Sequence, residues 1–272
     1  MSRFKNERHI MYEFIHHYMA EGVDCFILID DNSDDDYLEH NKDWMNDLIV
    51  SEKIIIKQAT LPQTKEYNLH LEIVKAFKWV VVCDMDEFFF SVPSNSSLKS
   101  ILNDKLDAYG YIRIPWKIFK HDGYHHPKSV IDDNVYTYSV KIDHMSHSKG
   151  YKYIVKSECI KGMDIHSCSV IPETKIMTFK DCYGKLIQNN HYRTQSEEYL
   201  RGVKEQRGGG VNKEKYKGFY LHKTQTYNKH CRLLANKRKD LIDECMSREL
   251  VRPRIYTQSS FFRENDGKQE IH

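Results

Sequence analysis

The chain has 272 residues, 40% hydrophobic and 29% charged, which is enough apolar material for one large domain or two small ones and argues against wholesale disorder. Its formal net charge of +2 makes no general case for nucleic acid as a partner. No apolar stretch approaches the roughly 20 residues of a membrane span, and M-S-R-F-K-N-E is not shaped like a secretory signal.

Residues 6–21 carry helical periodicity, with Ile10, Phe14 and Tyr18 on one stripe, Met11, Ile15 and Met19 beside it, and Gly22 as a stop. V-D-C-F-I-L-I then predicts a buried strand ending in D-D-N-S-D-D-D. A second short strand is expected at 53–57 and an amphipathic helix at 65–77, with Leu69, Ile73 and Phe77 four apart. The strand 79–83 leads into D-M-D-E-F-F-F. Continuous apolar strands alternating with helices predict an α/β fold, a mostly parallel Rossmann-like sheet flanked by helices. Beyond Pro93 the pattern loosens. Strands are expected at 111–115, 151–160 and 186–190, a looped half at 117–150, the start of a helix at 196–204 and a polar helix at 227–246. Arg207-Gly208-Gly209-Gly210 reads as a flexible loop and 251–272 as a polar tail.

Charge is unevenly spread. Residues 24–47 hold nine acidic side chains against Lys42, and residues 199–254 hold 15 Lys/Arg against six Asp/Glu. The latter fits either a polyanion site or a solvated basic helix. The seven cysteines form no C-x-x-C pair, which points to reduced thiols and a cytoplasmic protein.

Two acidic clusters, Asp30–Asp36 and Asp84–Glu87, fall at the carboxyl ends of predicted strands, where open α/β sheets bind ligands. Burying charge there is costly unless a cation pairs with it. Hard cations such as Mn2+ or Mg2+ take carboxylate oxygens and leave positions for phosphate. One carboxylate on such a cation, another on the sugar or ribose, and a diphosphate as the remaining ligand make a sugar-nucleotide site.

The ordered stretches F-K-N-E-R-H-I-M-Y-E-F, I-D-D-N-S-D, W-V-V-V-C-D-M-D-E-F, I-P-W-K-I-F-K-H-D-G and N-H-Y-R-T-Q-S-E-E-Y resemble the motifs of GT-A-fold glycosyltransferases of the family 2 and family 92-like (DUF23-like) group, which has members in large DNA viruses. The resemblance spans residues 4 to about 200. It implies a single GT-A-like domain over 1–250, with 1–115 as the nucleotide-sugar half and 116–250 as the acceptor half followed by C-terminal helices. It also implies an inverting, metal-dependent transferase that takes a nucleotide-diphosphate sugar, UDP favoured, to a glycan or glycoprotein hydroxyl, in the host cytoplasm for a viral member. These folds usually open with a full strand, whereas only Met1–Phe4 precede K-N-E, so either the first strand is very short or the pocket floor is built differently.

By that resemblance Lys5 and Glu7 contact the nucleotide. Asp31 contacts base or ribose, or else closes an Asx turn. Asp84 and Asp86 are the donor and cation carboxylates, Asp86 being the direct ligand, while Glu87 braces the motif or touches the donor. His191 returns to the cation, with His166 in reserve, and Lys156 and Arg193 grip the diphosphate. The general base falls between the D-x-D and His191, with Asp164 first and Asp143 and Asp122 as rivals. Trp116 either stacks on an acceptor sugar or packs in the core, and Phe88–Phe90 belong to the core. Two other functions stay open. A haloacid-dehalogenase-like phosphatase also opens on a strand and D-x-D, but wants Thr or Val where Phe88 stands. A non-catalytic transferase scaffold would hold a glycan or nucleotide without turnover.

Overall fold

The computed structural model describes residues 1–120, 125–133, 136–137, 150–178, 184–204, 226–227 and 232–248. A short strand, β1 (Ser2–Phe4), turns through Asn6 at φ 53° into helix α1 (Arg8–Ala20), whose Ile10, Met11, Phe14, Ile15 and Tyr18 are buried. Gly22, at φ 86°, ends the helix. There the Val23 amide donates to the Tyr18 carbonyl and the Gly22 amide to that of Met19, the paired bonds of a Schellman stop.

The fully buried β2 (Phe26–Asp30) is followed by helix α2 (Tyr37–Val50). No helix is expected there from the sequence, because only Tyr37, Asn41 and Met45 are buried, a single thin row in an acidic segment. After β3 (Ile54–Gln58), the helix expected over 65–77 is broken at His70 into α3 (Gln63–Leu69) and α4 (Leu71–Val74). Asn68 exchanges two hydrogen bonds with the Met163 backbone and so fixes α3. Beyond it the helix re-phases to bury Val74, leaving Leu69 exposed.

The strands β4 (Trp79–Val82) and β5 (Glu87–Ser91) flank the D-M-D turn, in which the Glu87 amide donates to the Asp84 carbonyl. Helix α5 (Leu98–Ser100) runs on into a wide turn, and β6 (Tyr111–Lys120) extends five residues past its expected end. Helix α6 (Val130–Asp133) and β7 (Tyr136–Thr137) interrupt the region expected to be looped. A short 3-10 turn at Ser157–Cys159 divides the strand expected over 151–160 into β8 (Tyr151–Lys156) and β9 (Ile160–Met163). β10 (Cys168–Val170), β11 (Ile176–Met177) and β12 (Ile187–His191) follow, then α7 (Glu197–Tyr199), which passes into a wide turn, Leu200–Lys204. The polar helix expected over 227–246 is replaced by β13 (Thr226–Tyr227), α8 (Arg232–Lys237) and α9 (Lys239–Ser247). The glycine loop at 207–210, the tail 251–272, Asp122 and Asp143 lie outside the described residues.

β3, β2 and β1 are parallel neighbours in that order. Met1 donates to the Val81 carbonyl and accepts from the Cys83 amide, which continues the sheet in parallel from β1 to β4. From β4 the order is β8, β6, β12, β5, with β8 and β5 antiparallel to their neighbours and β6 and β12 parallel. The fold is α/β with a mixed sheet flanked by helices. One consequence decides the site: β4 and β12 end at the same edge at which β8 and β5 begin.

Candidate active site

Each of those four strands delivers a charged or metal-ligating side chain to that edge. Asp84 and Asp86 follow β4, Glu87 opens β5, Lys152 stands second in β8, and His191 closes β12. The pairing of β12 with β5 puts His191 opposite Glu87. Asp86 Oδ1 lies 3.3 Å from His191 Nε2, and ligand atoms of Asp86, Glu87 and His191 all fall within 4.8 Å of one another, each residue being buried. Asp86 Oδ1, Glu87 Oε1 and His191 Nδ1 are buried and make no hydrogen bond, a state that native cores avoid. Two carboxylates and an imidazole converging with unspent atoms fit a hard divalent cation such as Mn2+ or Mg2+.

Two lysines balance part of the charge. Lys152, 0% exposed, has its ammonium 3.1 Å from Asp84 Oδ2 and 3.8 Å from Glu87 Oε2. Lys204 pairs with Asp86 Oδ2. Burial opposes charge on Asp86, but Lys204 and His191 outweigh it and hold this carboxyl well below the usual range. Burial pushes Glu87 well above its ordinary value despite Lys152, with Asp84 and Asp86 adding to the rise. Burial also lowers His191, against the pull of Asp86. Glu87 and then Asp84 raise the pKa of Lys152 against its burial. Neither lysine is signalled by the motifs. Lys152 and Lys156 share one face of a strand, and only the antiparallel direction of β8 decides which meets the carboxylates.

Lys156 is at the other edge of the sheet, paired with Asp107 and lying over Trp79, and it cannot reach the diphosphate position expected for it. Asp31 accepts from Arg3 at 2.7 Å, and the Asx turn belongs to Asp30, whose Oδ1 accepts from the Ser33 amide. The acidic run at 30–36 is largely engaged locally, since Arg8 also pairs with Asp36 and its amide donates to Asp35. Glu7 is buried and accepts from the Tyr199 hydroxyl at 2.6 Å, a brace to the segment that carries Lys204. Lys5 follows β1 directly, and Arg193 is half-buried two residues past His191. Trp116 packs against both His191 and His166, with ring centroids 4.6 and 5.4 Å away. Asp164 is exposed on the β9–β10 turn and accepts from Thr64 Oγ1 at 2.8 Å and from the Ile165 amide. The nearer carboxylates do not include it. An apolar cavity of about 180 Å3, lined by Met1, Phe26, Trp79 and Leu102 among others, lies toward the opposite edge, away from the carboxylates.

Among solved structures, TarS 1-349 from S. aureus is similar at 12% identity with a TM-score of 0.40, over 88% of this chain and 70% of that one. TarS 1-349 in complex with UDP aligns at 14% identity and 0.38, over 59% of this chain and 47% of that one, so this chain spans about half its length. HddC from Yersinia pseudotuberculosis aligns at 13% and 0.34, over 72% and 84%. At these scores the likenesses are distant and decide neither fold nor chemistry. Comparison with curated proteins gives no match. The sequence signature described as Glycosyltransferase family 92 matches residues 2–248, nearly the whole described chain, and the protein belongs to that family.

Proposed function

We propose that the protein is a metal-dependent, inverting glycosyltransferase that moves a sugar from a nucleotide-diphosphate sugar, UDP favoured, to a glycan or glycoprotein hydroxyl. The observation that carries this reading is the buried trio Asp86, Glu87 and His191 with unspent ligand atoms at one strand edge. These residues would hold Mn2+ or Mg2+, which when bound neutralises charge growing on the departing diphosphate. Residues 1–115 form the donor half. The nucleoside lies across the ends of β1 and β2, beside Lys5 and Asp31, one strand or roughly 5 Å from the carboxylate turn that follows β4. Asp84, the most exposed acid of the turn, faces the donor, and Arg193 reaches the diphosphate. Residues 116–250 supply the acceptor side.

Calorimetry of UDP binding tests the reading. With Mn2+ present, affinity should exceed that in excess chelator at least tenfold, and Asp86→Ala should abolish the difference; equal affinities in the wild type would refute the metal-bridged site. The general base is proposed to be Asp164, on the β9–β10 turn in the interval of the chain between the D-x-D turn and His191. Asp164→Asn should bind UDP normally and transfer sugar ~10²–10⁴-fold more slowly. Near-normal turnover would remove Asp164 from the role and pass it to Asp143 or Asp122.

A further inference from the structure

We infer that Lys204 is a resident counter-cation of this site: it holds Asp86 while no divalent ion is bound and leaves it for the donor's diphosphate, which couples cation binding to diphosphate binding. This rests on the metal-dependent reading above.

Three carboxylates share the site with two ammonium groups, and the two lysines are held differently. Lys152 is sealed at the start of β8 between Asp84 and Glu87, with no exposed surface, and cannot move without opening the sheet. Lys204 comes from the last position of a wide five-residue turn, and its side chain is 15% exposed. Wide turns of this kind recur at functional sites, where they re-aim a side chain. The turn is aimed by contacts of its own. Tyr199 donates to Glu7, the Ser196 hydroxyl accepts from the Tyr199 amide, and Lys204 passes over the Tyr199 ring at 5.7 Å.

The ammonium group takes Oδ2 of the carboxylate whose Oδ1 faces His191. A divalent ion between Asp86, Glu87 and His191 would therefore share Asp86 with a second positive charge, and like charges at that range repel. Lys204 can relieve this by swinging away, and the nearest strong acceptor it would then meet is a diphosphate bound at the same ion. Removing the ammonium should thus help the ion and harm the diphosphate. A side chain that merely supported the fold would weaken both.

The test is Mn2+ binding followed by electron paramagnetic resonance, without nucleotide and with saturating UDP, in the wild type, Lys204→Met and Lys204→Gln. Thermal melts confirm that each variant is folded. Both variants should bind Mn2+ alone on the order of 5-fold tighter or more, and UDP should improve their Mn2+ affinity less than it does in the wild type. Unchanged or weaker Mn2+ binding in both folded variants, with Mn2+ binding by the wild type intact, overturns the role of Lys204 and leaves the metal site standing. If no protein binds Mn2+ with or without UDP, the metal-dependent reading falls and takes this inference with it.

Discussion

His17 lies fully buried on α1, with Nε2 2.8 Å from the Phe89 carbonyl and Arg238 directed at Nδ1. Burial, assisted by the Arg238 charge, depresses its pKa well below the ordinary 6.5. A depressed histidine binds its proton only after unfolding, so its contribution is complete above about pH 6.5 and is lost as pH falls. Each pH unit below that point should cost about 1.4 kcal/mol from this residue. Urea midpoints at pH 7.5 and 5.5 should fall further apart in the wild type than in His17→Gln. The motifs marked Asp86 and His191, which the fold brings to 3.3 Å of each other. Lys152 was not marked, because a lysine between tyrosines in Y-K-Y reads as a solvated strand position. Nothing in L-R-G-V-K indicates a partner 118 residues earlier.

At the scale of elements, the stop of α1 is a case in which local sequence suffices. Gly22 was legible as the stop because only a residue free to take φ 86° closes the two carbonyl bonds there. An added Cβ would also approach the Lys99 Cβ to 2.8 Å. Gly22→Ala should therefore destabilise the protein by about 1–3 kcal/mol, measured by chemical denaturation, while leaving Mn2+ affinity unchanged. β2, β3 and β4 could likewise be placed from their apolar runs. β5 was harder to place: Phe88, Phe89 and Phe90 are all 0% exposed, so the triplet shows no alternation to distinguish a strand covered on both faces from any other core segment. The positioning of the site depends on pairings that sequence does not encode locally. His191 meets Glu87 because β12 runs antiparallel to β5, and a shift of one residue would turn the imidazole to the opposite face.

For the molecule as a whole, the C-terminal helices are part of the core. Glu21, 0% exposed at the end of α1, accepts from the Ser91 and Leu98 amides, pairs with Arg238 and lies 3.2 Å from Lys237. Arg238→Met should cost about 3 kcal/mol, because it strips a buried carboxylate of its main counter-charge. Arg238→Met combined with Glu21→Gln should recover part of that loss in a double-mutant cycle. Additive losses would show that the two residues act independently. The separation between them, 217 positions, has a consequence for how the protein is made. A nascent chain translated at ~5–20 residues per second carries Glu21 without Arg238 for roughly 10–40 s. During that interval the buried carboxylate at the end of the first helix lacks its counter-charge, so the cluster that ties α1 to Ser91, at the end of β5 away from Glu87, is completed only after residue 238 has left the ribosome.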